Sequence, residues 1–129
     1  MYSVTPHMHL IGETMKVTAH CPDGREIPIV KIDDWDFNWQ NSYHFRQLQE
    51  LPAGTKVKLV ATFDNSADNP NNPNASPRDV GWGAKTTDEM CIAFLGILHQ
   101  SEYDPVKQQR RDASVKLGSA VKPGAVSQP

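Results

Sequence analysis

A chain of 129 residues is long enough for one domain built on one hydrophobic core. Only 38% of it is apolar, and Pro and Asn gather in clusters, so the core is expected to be smaller than the chain, with long polar loops and a loose tail. A formal net charge of −2 without a basic stripe excludes a nucleic-acid-binding face; the one dense basic run, at residues 107–111, falls in the tail.

In chain order, residues 2–11 can form a first strand closed by Gly12. Residues 14–21 alternate, with Met15, Val17, Ala19 and Cys21 on one face and Thr14, Lys16, Thr18 and His20 on the other. Pro22, Asp23 and Gly24 signal a turn into residues 25–32, where Ile27 and Ile29 share a face. Pro28 inside that run predicts an edge strand or a bulge. Trp35, Phe37 and Trp39 alternate with Asp36 and Asn38, and residues 43–51 read as a further strand closed by Pro52, Ala53 and Gly54. Residues 55–63 alternate strictly, with Val57, Leu59, Ala61 and Phe63 facing in.

Residues 64–83 are rich in Asn, Pro, Asp and Ser, and a connection this long in a small β domain is usually functional or disordered. Residues 91–98 are apolar on both faces and read as a central, fully covered strand. This longest apolar run is interrupted by Gly96 and is too short to cross a membrane. No amphipathic helix stands out. The expected organisation is an all-β domain over residues 1–99, an antiparallel β-sandwich of jelly-roll type with one long Asn/Pro-rich loop, followed by a polar tail or linker over residues 100–129. No signal peptide precedes the motif-bearing sequence, which reads as an excised domain.

Two elements carry chemistry. His7 and His9 flank Met8, and positions two apart on a strand share a face, so both imidazoles can reach one ion. Alone, the pair also fits two solvent-facing histidines on an edge strand. Met90 stands at the entrance to the apolar strand; alone, it also fits a gap filler in the core. A thioether beside two imidazoles selects copper over zinc, because Cu(I) is soft enough to accept sulfur. Cys21 and Cys91 allow a disulfide, two buried thiols or a metal ligand, and the spacing does not choose.

The order His7-Met8-His9-Leu10-Ile11-Gly12, a hairpin around Asp23-Gly24, Pro52-Ala53-Gly54 before an alternating strand, and Asp88-Glu89-Met90-Cys91 before an apolar strand resembles the second domain of the copper type II, ascorbate-dependent monooxygenases. Peptidylglycine α-hydroxylating and dopamine β-monooxygenases belong to that family, and the resemblance runs from about His7 to Leu98. It implies one copper held by His7, His9 and Met90, which would bind O2 and attack a substrate C–H bond. It also implies electrons from ascorbate by way of a second copper in a preceding domain, and a periplasmic or secreted parent protein. That preceding domain is absent from this chain.

The amidating branch anchors a peptide carboxylate with an Arg before the first His and with an Asn and a Tyr after Met-Cys. Thr5, Ile92 and Phe94 stand at those positions, so a peptide C-terminus is not the expected substrate. In the family the Cys after the ligand Met pairs with a Cys on a neighbouring strand; here Ala61 or a neighbour stands there, and the bridge is not expected. His20, His44 and His99 lack converging partners and are not expected as ligands. Trp35, Trp39 and Trp82 read as core or loop anchors rather than as substrate platforms.

Two other readings compete. His7, His9 and Glu13 mimic half of a cupin metal motif, although no later Gly-x-x-His segment supplies a fourth ligand. A copper-binding or electron-transfer module without catalysis fits the same three ligands.

Overall fold

The computed structural model describes residues 1–99 together with Pro105, Val106 and Gln109. The chain divides into two compact units, Met1–Ile97 and Leu98–Pro129. In the second, Pro105, Val106 and Gln109 are helical and exposed, and the rest of the expected tail lies outside the described residues. No described helix is long and apolar enough to cross a membrane.

The first unit is all-β. Its strands are β1 (Ser3–Met8), β2 (Gly12–His20), β3 (Glu26–Ile32), β4 (Tyr43–His44), β5 (Lys56–Phe63) and β6 (Cys91–Gly96). They form two antiparallel three-stranded sheets, ordered β4-β1-β6 and β3-β2-β5. Each sheet turns one face to a shared core. Val4 and Met8 of β1, Met15, Val17 and Ala19 of β2, Ile29 of β3, Met1 and Trp35 form one buried cluster, against which Leu59 and Ala61 of β5 and Cys91, Ala93 and Leu95 of β6 pack. The period-2 pattern of residues 14–21 thus translates directly into an inner and an outer face.

The turn at residues 22–24 joins β2 to β3, with Gly24 at φ 87°, a left-handed conformation that costs glycine little. Between Val17 and Thr18 the register slips, because Val17 pairs with Val30 and Thr18 with Pro28. Proline has no N–H for the ladder, so it sits where the ladder is broken and on an edge strand, as its position in the sequence predicts.

Three expectations need correction. The strand expected over residues 43–51 is only Tyr43–His44; after it the chain runs along Met1 and Tyr2 through single bonds, Phe45 N to Tyr2 O and Gln49 N to Met1 O, rather than through a ladder. β6 is not a covered central strand. It borders the β4-β1-β6 sheet, and Phe94 on its outer face is 58% exposed. An apolar residue on each face does not by itself mean that each face is covered. Gly12 opens β2 instead of closing β1. A β-carbon there would lie 2.8 Å from Met8 Cε and 3.0 Å from Trp35 Cδ1, so a side chain at this position would press on both.

That contact sets a first expectation. Gly12→Ala forces Met8 and Trp35 apart in a filled core and should lower stability by about 1–3 kcal/mol in urea unfolding. An unchanged midpoint would mean that the two side chains yield freely.

Candidate metal centre

His7 lies on β1 and His9 one residue beyond its end, alternating with the core-facing Pro6 and Met8. Their rings are therefore on the face of the sheet turned away from the core, with centroids 5.0 Å apart and planes at 85°. β6 runs antiparallel to β1, pairing Met8 with Cys91 and His7 with Ile92. The ladder stops at the Met8–Cys91 pair, and Met90 directly precedes Cys91, beside the end of β1.

The junction is reinforced by Glu89. One of its carboxylate oxygens, Oε1, accepts the backbone N–H of His9 at 2.6 Å and that of Met90 at 2.7 Å. The side chain is buried, and Oε2 has no protein partner among the described residues. The Glu89 backbone is tied in turn to the preceding loop, its N–H donating to Gly81 O and its carbonyl accepting from Gly83 N. Sequence reading singled out the Met beside Glu89 and missed the Glu itself.

Both imidazoles use Nδ1 on an oxygen. His9 Nδ1 meets the Asp88 carbonyl at 3.1 Å, and His7 Nδ1 meets Gln40 Oε1 at 2.5 Å. The Gln40 amide is oriented by its own nitrogen, which donates to Phe37 O at 2.7 Å. A carbonyl or amide oxygen only accepts, so each Nδ1 carries a proton, and in the neutral ring the lone pair is on Nε2. Metal-binding histidines are commonly oriented by this kind of outer bond. Residues 33–42 cover the pair from outside the sheet: Trp35 Nε1 donates to His9 O at 3.2 Å, and the Phe37 ring lies 6.3 Å from that of His9. His9 is buried and His7 half-buried.

The donor set fits copper. Two imidazole nitrogens with a thioether would make a soft, incomplete set suited to Cu(I). No group of three or more His, Cys, Asp or Glu that could hold a metal occurs among the described residues. Cys91 faces the core against Met8 rather than the histidines, and burial, then the nearby Glu89 charge, push its thiol up. Both cysteines are free. Glu13, the third residue of the cupin-like reading, is exposed on β2 in the other sheet. His20 pairs with Glu26 at 3.1 Å, and exposed His44 stacks on Tyr2. Trp35 is a core anchor, whereas Trp39 and Trp82 are 67% and 78% exposed. Thr5 and Phe94 are cross-strand partners beside the His7–Ile92 pair, so the positions that hold a carboxylate anchor in the amidating branch form an uncharged strip here.

Comparison with known proteins identifies the family of the chain. Residues 1–116 match the family described as copper type II ascorbate-dependent monooxygenase, C-terminal domain, and the chain belongs to that family. The match begins before His7 and runs beyond Leu98. A Mus musculus protein named DBH-like monooxygenase protein 1 is 28% identical over 98 residues, which cover 74% of this chain and 14% of that protein. The chain thus corresponds to about 14% of the length of that relative. No solved structure matches it significantly.

Glu89→Ala leaves one buried and one partly buried backbone donor without an acceptor and should cost about 1–3 kcal/mol of stability, whereas Glu89→Gln keeps an oxygen in place and should cost less. Urea unfolding of the metal-free chain measures both; equal losses would mean that the shared oxygen is not the link.

Proposed function

We propose that the chain is the mononuclear copper domain of a monooxygenase, with copper held by His7, His9 and Met90. The observation that carries this reading is the matched state of the two imidazoles at the end of β1, each with Nδ1 engaged by an oxygen, and the Glu89 carboxylate that joins the His9 and Met90 backbones. Copper, when bound, would supply the one-electron chemistry that activates O2 for hydroxylation of a substrate C–H bond. His7, His9 and Met90 would hold the metal, with the two imidazoles oriented by Gln40 and by the Asp88 carbonyl. Electrons come from ascorbate or from a partner redox domain, consistent with the ascorbate dependence in the family's description. The uncharged strip of Thr5, Ile92 and Phe94 favours a substrate without a carboxylate to anchor there. The fold we infer is a β-sandwich of jelly-roll type, in which residues 64–83 form the long connection. Within that connection Asn65, Asn69 and Asn72 donate to Arg78 O, Asp64 O and Ser66 O. Residues 1–99 are the copper-binding domain and residues 100–129 a tail or linker. The parent protein is periplasmic or secreted.

Two measurements test this. The chain loaded with Cu(I) should show a single sulfur scatterer in X-ray absorption that disappears in Met90→Leu while the fold is retained; a sulfur signal that survives the substitution overturns the assignment. The copper-loaded chain alone should reduce O2 with ascorbate only slowly and without coupling. The parent protein, or the missing half added in trans, should yield hydroxylated product. A copper-loaded parent protein inert toward O2 would instead identify a copper carrier or electron-transfer module.

A further inference from the structure

Residues 33–42 contain no motif, yet they reach the site from the opposite sheet. They leave β3, pass Trp35, whose N–H donates to Glu13 O at 2.9 Å and whose indole donates to His9 O, and turn through Asp36. That turn is closed by Trp39 N to Asp36 O and Asn38 N to Asp36 Oδ1. It presents the Phe37 carbonyl to Gln40 Nε2, which leaves Gln40 Oε1 directed at His7. The two histidines differ in one respect. The acceptor for His9 is a backbone carbonyl, which no substitution removes; the acceptor for His7 is a side chain, and the proton position on that ring depends on it.

We propose that Gln40 is a positioning residue for the copper reading above: by accepting from His7 Nδ1–H it fixes the tautomer and directs metal to Nε2. A free neutral imidazole prefers its proton on Nε2, the state that would turn the lone pair of His7 away from its partner. Without the Gln40 oxygen, His7 reverts toward that state and must exchange tautomer, and turn, before it can bind. The neutral amide orients the ring without adding negative charge beside it.

The test uses the full chain. Nitrogen-15 NMR of the metal-free protein reads the tautomer of each histidine, and competition with a chromophoric Cu(I) chelator reads affinity. Wild type should hold His7 and His9 as Nδ1–H. Gln40→Leu should move His7 toward Nε2–H, leave His9 unchanged as the internal control for folding, and weaken Cu(I) binding about 10–100-fold, the usual effect of removing an outer-shell partner. Gln40→Glu keeps an oxygen at the acceptor position and should restore the His7 tautomer. A wild-type chain that takes up no Cu(I) overturns the copper reading whatever the tautomers. A wild-type chain that binds Cu(I), with the His7 tautomer and the affinity unchanged in Gln40→Leu, overturns the role of Gln40 alone.

Discussion

The bond on which the site depends is the sharing of one buried carboxylate oxygen between two backbone amides. Glu89 Oε1 accepts from His9 and from Met90, residues far apart in the chain. The ladder between β1 and β6 ends at Met8 and Cys91, immediately before these positions. Without the carboxylate, both amides would lie just beyond the last ladder bond, with no strand partner to satisfy them. A buried carboxylate is costly unless charge-assisted bonds compensate it, and the two donors supply that compensation. The same interaction therefore satisfies the backbone and sets the histidine segment against the methionine segment.

The remaining architecture converges on that junction. The β3-β2-β5 sheet contributes no candidate ligand; it closes the core under β1 and sends out residues 33–42. Trp35 belongs to both systems. Its ring is buried in the core cluster, beside the close approach at Gly12, while its indole N–H holds the carbonyl of His9. Packing of the core and orientation of the site are thus linked through one side chain, so a disturbance of the core at Met8 or Gly12 is transmitted to the backbone of a candidate ligand.

The rings of the histidines are oriented by neutral oxygen acceptors, while the His9 backbone is held by the Glu89 carboxylate. Gln40 and the Asp88 carbonyl engage the two Nδ1 atoms, and neither group is ionic. Nearby positions on the outer face of β1 and β6 carry Thr5, Ile92 and Phe94, and Thr5 Oγ1 shares a hydrogen bond with Ser42 Oγ at 2.6 Å.

By itself the sequence determined the class of fold, the hairpin with its irregularity at Pro28, the inner face of β2, and the candidate ligands His7, His9 and Met90. Each of these is local: alternation fixes which residues share a face, proline marks a broken ladder, and a His-x-His pair lies on one side of any strand. The extent of β4, the edge position of β6 and the outer-face exposure of Phe94 were not legible, because strand length and burial depend on what the rest of the chain supplies as neighbours. Gln40, Glu89 and the Asp88 carbonyl belong to the same class. Their residue types are unremarkable in the sequence, and their partners lie 33, 80 and 79 positions away. Only tertiary contact could decide which nitrogen of each histidine carries the proton, because that choice is made by the acceptor across the space between segments and not by the chain around the ring.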